Sequence, residues 1–287
     1  MAHPRSSMVM IAALLAGVAC RRSDRAASGA DSAGPPAAAA SPNVVVFHAK
    51  DYAFTGPAQI PAGMTTFELV NDGPGIHHMA IVRLDSGKTL VDAERALKQK
   101  GPPPHWMVLV GGPNAPSPHD SANATLDMQP GSYALMCMVD IPNHVPHFIH
   151  GMVSPLTVTP SSDSSATAPR ADEVITMTDF SFQLANPLTA GKHTIAVRNT
   201  GAQPHELELI RLASGKTPDE VLKWMEKPSG PPPGEALGGV APFIGGHEVY
   251  FTADLAPGKY MLVCFIPDVK DGKPHFVHGM MQEVTVT

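Results

Sequence analysis

The chain has 287 residues, of which 43% are hydrophobic, and carries a formal net charge of −6. This length is sufficient for two domains of ordinary size, each with its own apolar core. The 30 prolines and 25 glycines favour many short strands separated by turns over long helices. The mildly acidic balance, without any basic patch, excludes nucleic acid as an expected partner.

The N-terminal segment is typical of an export signal. A weakly basic start precedes an apolar run over residues 8–19, which is too short to span a bilayer comfortably, and small residues precede Cys20. Residues 1–20 therefore resemble a bacterial lipoprotein signal, and 21–42 form a flexible tether. Gly17 departs from the Leu usual three residues before a lipidated Cys, so ordinary signal cleavage is the alternative. We predict a periplasmic or cell-surface protein, anchored to a bacterial membrane through a lipid on Cys20.

An internal repeat is the most informative feature of the sequence. The motif DYAF at 51–54 returns as DFSF at 179–182, an offset of 128, and HFIHGM at 147–152 returns as HFVHGM at 275–280. Between them, Asn, Gly and His recur in the same order, at Asn71, Gly73, His77 and at Asn199, Gly201, His205. Matches this numerous and ordered indicate a duplicated domain. We place the first domain at 43–159, a Ser/Ala/Pro-rich linker at 160–172 and the second domain at 173–287.

The elements predicted within each copy are short strands interrupted by one helix. Apolar, β-branched runs predict strands at 44–47, 65–70 and 79–84, then at 174–177, 193–198 and 207–212. A helix is expected at 90–100, and a second begins at Thr217, which forms a capping box with Glu220. The alternation of Tyr133, Leu135 and Cys137 turns the sulfur towards a core. The predicted fold class is all-β: two tandem Greek-key β-sandwiches of seven or so strands, each with one short inserted helix.

Each copy contains a single cysteine, and an unpaired thiol in an oxidising compartment requires a reason. A Cys137–Cys264 disulfide is disfavoured because both residues occupy the same inward position in separate cores. A small buried hydrophobe is the other simple interpretation. Neither explains why a His and then a Met follow each cysteine, five residues apart in both copies.

One thiolate, two imidazoles and a weak axial thioether are the ligands of a blue-copper electron-transfer site. On these motifs each copy resembles a cupredoxin, the blue-copper family that includes plastocyanin, azurin and rusticyanin. The resemblance implies two cupredoxin-like domains with one copper ion each. The implied ligands are His77, Cys137, His147 and Met152 in the first copy and His205, Cys264, His275 and Met280 in the second.

Two departures from the family pattern concern the surroundings of the metal. The segment between Cys and the second His is about twice the usual length, so the ligand loop is expected to bulge. The residue after the first His, often Asn in the small blue proteins, is His78 in one copy and Glu206 in the other. His78 has no matching histidine in the second copy, which favours packing or solvent exposure for it. His150 and His278 are rival ligands, although their spacing to Met fits the family less well.

The predicted function is an exported copper protein that transfers electrons to and from redox partner proteins. One alternative is a copper carrier or buffer, which would act with copper-exchange proteins. The other is a metal-free β-sandwich with only a structural role. An enzyme such as a multicopper oxidase or nitrite reductase is not expected. The reason is that no His stands beside Cys137 or Cys264 and the sequence contains no His-x-His pair.

Overall fold

The computed structural model describes residues 41–85, 87–99, 103–140, 143–162 and 166–287. The predicted signal segment, Cys20 and the tether up to residue 40 lie outside the described residues, as do residues 163–165 of the predicted linker. Within the described ranges, no helix has the length and apolar character needed to cross a membrane. The domain boundaries stay predictions, and 43–159 and 173–287 are called the first and second halves below.

Two layers of strands form a β-sandwich in the first half. The first layer has the order β2-β1-β4-β7 and the second the order β3-β9-β8-β5-β6. The strands are β1 (Asn43–Lys50), β2 (Ala53–Thr55), β3 (Gln59–Pro61), β4 (Gly63–Asn71), β5 (Ala80–Leu84), β6 (Met107–Gly111), β7 (Ser121–Met128), β8 (Gly131–Met136) and β9 (Val153–Thr159).

The second half repeats this arrangement, with layers ordered β11-β10-β12-β15 and β17-β16-β13-β14. Its strands are β10 (Glu173–Thr178), β11 (Ser181–Leu184), β12 (Gly191–Asn199), β13 (His205–Leu212), β14 (Gly234–Phe243), β15 (Glu248–Leu255), β16 (Gly258–Val263) and β17 (Met281–Val286). The predicted fold class is confirmed. All six strands predicted from the sequence are present, with ends within three residues, and short edge strands raise the number per half above the predicted seven.

The two halves are joined edge to edge. Strand β7 pairs antiparallel with β15, and β6 pairs antiparallel with β14. Both layers therefore run through the molecule as continuous sheets of eight and nine strands. The sequence left the orientation of the halves undetermined, because a linker does not reveal which strand edges will pair.

The helices α1 (Leu90–Leu97) and α2 (Pro218–Glu226) lie at equivalent positions after β5 and β13. Both begin with a capping box, Thr89 with Asp92 and Thr217 with Glu220, so the predicted cap of α2 is confirmed. Residues of α1 pack with Ala134 and Met136 on the outer face of β8. This face was expected to point outwards, but the helix covers it, and the cysteine-bearing strand is therefore buried on both sides.

Candidate metal centres

The two cysteines stand at corresponding positions in the two halves, just after strands β8 and β16. Cys137 and Cys264 are fully buried, each within the apolar core between the layers. Both are free thiols, so the alternative of a disulfide between them is wrong. Burial is confirmed as predicted from the alternation along the two strands.

An asparagine organises the loop that delivers the first histidine of each half. Asn199 Nδ2 donates to the Gln203 carbonyl at 2.9 Å, and Asn199 Oδ1 accepts from Gly201 N at 2.9 Å. Asn71 makes the corresponding bonds to Gly75 O, at 2.8 Å, and Gly73 N, at 3.1 Å. These bonds explain why Asn and Gly recur ahead of both histidines in the repeat.

A short 3₁₀ turn delivers the second histidine, His147–His150 in the first half and His275–His278 in the second. In the first half His147 N donates to Val139 O at 2.9 Å, and Met152 N donates to His147 O at 3.1 Å. Cys137 N in turn donates to Met152 O at 3.2 Å. The backbone thus ties Cys, His and Met together at the base of the loop, which allows the long Cys-to-His segment to extend without separating them.

Three predicted ligands converge in each half. His77 Nδ1 lies 3.1 Å from His147 Nδ1, which lies 3.4 Å from Cys137 Sγ. The corresponding distances among His205, Cys264 and His275 are 2.9 and 3.4 Å. The potential ligand atoms of each trio lie within 4.8 Å of one another. Met152 and Met280 are fully buried in the same core as the cysteines.

The donor atoms fit a first-row transition metal ion. Nitrogen and sulfur ligands held about 2.0–2.3 Å from one ion lie roughly 3–4 Å from each other, as these atoms do. A soft sulfur with two imidazoles suits copper. The side chains of each trio are therefore of the kind that binds copper.

Burial sets the protonation of the ligands in the metal-free protein. It raises the pKa of Cys137 to about 12, although the N–H groups of His78 and Val139 partly oppose the effect. Burial and then the proximity of His205 lower the pKa of His275 to about 4. Burial is also the main reason that the pKa values of His77 and His205 lie below the usual range. The imidazoles of His77, His205 and His275 are therefore neutral donors at neutral pH, whereas each thiol must give up a proton on binding a metal.

Sequence reasoning missed an aspartate behind the first histidine of each half. His205 Nε2 lies 2.6 Å from Asp179 Oδ1, and His77 Nε2 lies 3.5 Å from Asp51 Oδ1. A carboxylate hydrogen-bonded to Nε2, as in the second half, holds the ring with Nδ1 directed at the other histidine of the trio. The signal was present in the sequence, because both aspartates begin the repeated motif at 51–54 and 179–182.

The rival histidines lie outside the two trios. His150 is exposed and stacks against Tyr52, with ring centroids 4.7 Å apart. His278 is exposed and pairs with Asp271 at 3.2 Å. Asp268, Asp271 and His278 form a third group of potential ligands, but Asp268 already accepts from Gln203 Nε2 at 2.8 Å.

His78 is buried rather than solvent-exposed, and it is more than a packing residue. Its Nε2 accepts the backbone N–H of Met138, the residue after Cys137, at 2.8 Å. At the equivalent position in the second half, Glu206 Oε1 accepts the N–H of Phe265, the residue after Cys264, at 2.9 Å. Different side chains thus hold the peptide after the cysteine in the two halves. The sequence did not reveal this shared role, because the counterpart of His78 is a glutamate and not a histidine.

Both halves have a cupredoxin-like fold. The layers, the cysteine after an inner strand and the convergence of two histidines upon it agree with the resemblance found in the sequence. No protein-family model matches the chain, and no curated protein matches it.

Solved structures of copper proteins match the fold. An auracyanin from Roseiflexus castenholzii matches with 17% identity and a TM-score of 0.29, over 42% of this chain and 100% of its own. A blue copper oxidase from Nitrosomonas europaea matches with 13% identity and a TM-score of 0.26, over 85% of each chain. A copper nitrite reductase from the same organism matches with 14% identity and a TM-score of 0.26, over 86% of this chain and 94% of its own. At these identities the likeness concerns the fold alone.

The matches that span most of this chain are copper oxidases and copper nitrite reductases. They contradict the prediction that the chain is not an enzyme, and that prediction is wrong. It relied on the residues beside Cys137 and Cys264, which describe only the surroundings of the two cysteines and do not bear on chemistry elsewhere in the fold.

Proposed function

We propose that this chain is an exported copper protein with two mononuclear type 1-like sites, one in each half, which transfers electrons. The observation that carries the proposal is the convergence of two imidazole Nδ1 atoms and one thiol in each half, 2.9–3.4 Å apart along the bonded pairs. His77, Cys137, His147 and Met152 would hold the first ion, and His205, Cys264, His275 and Met280 the second. Bound copper supplies one-electron exchange between Cu(I) and Cu(II).

The protein would hold the ligands in place and exclude water. Burial is complete for the two cysteines, the two methionines, His205 and His275. The other two histidines are nearly buried, with His77 1% and His147 5% exposed. The aspartates behind the first histidines and the backbone bonds at the base of each loop restrain the ligands. A rigid, dry site lowers the reorganisation that accompanies a change of oxidation state.

The test is to load the full-length chain with copper and to measure metal content, visible absorption and electron paramagnetic resonance (EPR). We expect about two coppers per chain and an intense visible thiolate band. Cys137→Ser and Cys264→Ser should each remove one copper and one component of the spectrum. Folded protein that takes up no copper, or that retains the full spectrum in both variants, would contradict the proposal.

A copper carrier is the neighbouring function, and two measurements separate it from electron transfer. An electron-transfer protein should show reversible reduction potentials and keep its copper against a chelator of moderate affinity. A carrier should release copper quickly to the same chelator. The route of the electrons can then be followed by mixing reduced protein with dioxygen or nitrite. Rapid reoxidation would show that a small molecule accepts the electrons directly, and slow reoxidation would favour a redox partner protein.

We also propose that Cys20 carries a lipid which anchors the protein to a bacterial membrane, on the outer side of the inner membrane or at the cell surface. The support is the apolar run and small residues that precede Cys20 in the sequence. Cys20→Ala should release the protein from the membrane fraction and remove the mass of the acyl chains from the N-terminal peptide. Cleavage before Cys20 without any added mass would contradict lipidation.

A further inference from the structure

The residues that follow the first histidine in the two halves approach the same point of the interface between the halves. His78 holds the amide after Cys137, and Glu206 holds the amide after Cys264. These bonds use His78 Nε2 and Glu206 Oε1, which leaves His78 Nδ1 and Glu206 Oε2 for other partners. Both side chains are buried, with His78 5% and Glu206 4% exposed.

Asn114, between β6 and β7, joins the two. Its Oδ1 lies 3.3 Å from His78 Nδ1, and its Nδ2 lies 3.4 Å from Glu206 Oε2. Asn114 is 2% exposed, and its backbone N–H donates across the interface to Gly239 O at 3.2 Å. An unbroken hydrogen-bonded connection therefore runs from the peptide next to Cys137 to the peptide next to Cys264. It is called the bridge below and consists of His78, Asn114 and Glu206.

The chemistry of the groups fixes the direction of every bond in the bridge. A backbone N–H can only donate, so Nε2 of the neutral His78 ring carries no proton and Nδ1 carries it. Nδ1–H then donates to Asn114 Oδ1, which also accepts from Ala115 N at 3.0 Å. This orients the amide so that Nδ2 faces Glu206 Oε2 at 3.4 Å, together with Leu207 O and Val240 O, both at 3.3 Å. The Glu206 carboxylate accepts at both oxygens, since Phe265 N–H occupies the other one. From Met138 to Glu206, each donor thus points from the first half towards the second. The Phe265 N–H donates to Glu206 from the opposite side.

We propose that the bridge couples the two metal centres, so that a change of charge at one centre alters the surroundings of the thiolate at the other. This inference rests on the proposed function. Hydrogen bonds in a buried chain polarise one another, and the low dielectric of the interface preserves their electrostatic effect. Each end of the bridge bonds to the peptide directly after a ligating cysteine. Met138 N–H and Phe265 N–H are therefore the points at which each centre would sense the other.

Asn114 also helps to hold the two halves together, because its Nδ2 lies 3.3 Å from both Leu207 O and Val240 O in the second half. The interface contains another asparagine in that role: Asn123 Nδ2 donates to Thr252 O at 2.9 Å, and Thr252 N donates to Asn123 Oδ1 at 2.8 Å. These bonds belong to the other layer and do not involve the bridge. Asn123→Ala is therefore a matched control that removes contacts between the halves while the bridge stays intact.

The deciding experiment is a double-mutant cycle on the reduction potential of the copper in the second half. Cys137→Ser removes the thiolate of the first half, and we expect it to shift this potential by about 40 mV, which corresponds to roughly fivefold coupling at 59 mV per tenfold. Asn114→Leu should reduce that shift to less than half, because the connection is broken. In the Asn123→Ala background, Cys137→Ser should shift the potential by the full amount. An equal shift with and without Asn114 would overturn the inference.

A measurement on the metal-free chain keeps the inference separate from the proposed function. Asn114→Leu should increase the hydrogen-exchange rates of both the Met138 and the Phe265 amides, by roughly tenfold, although these lie in different halves. Asn123→Ala should change neither. If Asn114→Leu does not fold, Glu206→Gln, which preserves the size of the side chain, is the second variant. It should also reduce the shift in the reduction potential to less than half. Chains that bind no copper would contradict the proposed function. Two bound coppers whose potentials respond independently would overturn the bridge alone. So would Met138 and Phe265 amides whose exchange rates do not change in Asn114→Leu or Glu206→Gln.

Discussion

His205 Nε2 lies 2.6 Å from Asp179 Oδ1, whereas the equivalent atoms of His77 and Asp51 lie 3.5 Å apart. Asp179 is also the less exposed carboxylate, with 28% of its side chain accessible against 51% for Asp51. Partial burial raises the pKa of Asp179, but hydrogen bonds from His205 and from Ala202 N outweigh it and leave the pKa below its usual value. The two halves therefore orient the first histidine with unequal strength.

The first prediction concerns this difference. Asp179→Asn should weaken copper binding in the second half by about 10–100-fold, because the neutral amide no longer fixes the His205 ring. Asp51→Asn should weaken copper binding in the first half by a smaller factor. Chelator competition measures both, with Cys137→Ser or Cys264→Ser used to isolate the remaining centre. Equal losses in the two halves would show that the difference in distance has no energetic consequence.

Much of the fold followed from local patterns that the sequence displays openly. The capping box at Thr217, the alternation that buries Cys137 and the duplicated motifs all depend on neighbouring residues or on fixed spacings. The convergence of His77 with His147 could be expected only through the family resemblance, since the residues are far apart in the chain. Their role as ligands stays a prediction.

Other features depend on contacts that no single repeat contains. The pairing of β6 with β14 and of β7 with β15 joins edges of different halves, and edge pairing leaves little mark on a strand's own sequence. Asn114 has a role only because that pairing brings Glu206 within reach of it. His78 was misjudged for the same reason, because its counterpart in function is a glutamate rather than a histidine.

The second prediction separates His147 from His150. His147 Nδ1 lies 3.4 Å from Cys137 Sγ, whereas His150 is exposed and stacks on Tyr52. His147→Ala should therefore remove one copper per chain and the matching spectral component. His150→Ala should leave copper content unchanged. Metal analysis with EPR distinguishes the two, and loss of copper on His150→Ala alone would identify the rival residue as the ligand.

The third prediction concerns the close approach of backbone to the Asp179–His205 pair. A Cβ at Gly201 would meet Asp179 Oδ1 and would lie 2.6 Å from His205 Nε2, so one of these groups would have to move. Gly201→Ala should destabilise the metal-free chain by about 1–3 kcal/mol, as overpacking typically does, and should impair copper retention in the second half.

Gly75→Ala is the control for Gly201→Ala, because a Cβ at Gly75 would meet open space. It should change neither thermal stability nor copper content appreciably. Copper titration and thermal unfolding provide the two measurements. If Gly201→Ala behaved like Gly75→Ala, the pair would have room to move, and the tight approach would not be needed for the centre.

The fourth prediction concerns Glu208, a carboxyl group buried at the interface between the halves. Its Oε2 accepts from Ala115 N at 3.1 Å, while Oε1 has no hydrogen-bond partner among the described residues. Burial, and then the nearby Glu206, raise the pKa of Glu208 well above its usual value. The folded chain therefore binds a proton here that the unfolded chain releases once the pH exceeds about 4.5.

The sign of the pH dependence follows from this difference in bound protons. Because the folded state binds more protons, the contribution of Glu208 to stability is present below its unfolded pKa and is lost as the pH rises towards the folded pKa. Glu208→Gln imitates the protonated acid at every pH. The melting temperature of the metal-free variant, relative to the parent chain, should therefore rise between pH 5 and pH 8, by roughly 2–4 °C for each kcal/mol.

Glu235→Gln is the matched control, since Glu235 is an exposed carboxyl group on β14 of the same half. Its melting temperature relative to the parent chain should be the same at both pH values. The comparison cancels the titration of the buried histidines and thiols, which all three chains share. A Glu208→Gln difference that stayed constant between pH 5 and pH 8 would mean that Glu208 is ionised in the folded chain. Burial raises the pKa of Glu206 to about 7, so above that pH Asn114 and Ala115 would face two buried negative charges, and the bridge would require a counter-charge from elsewhere in the interface.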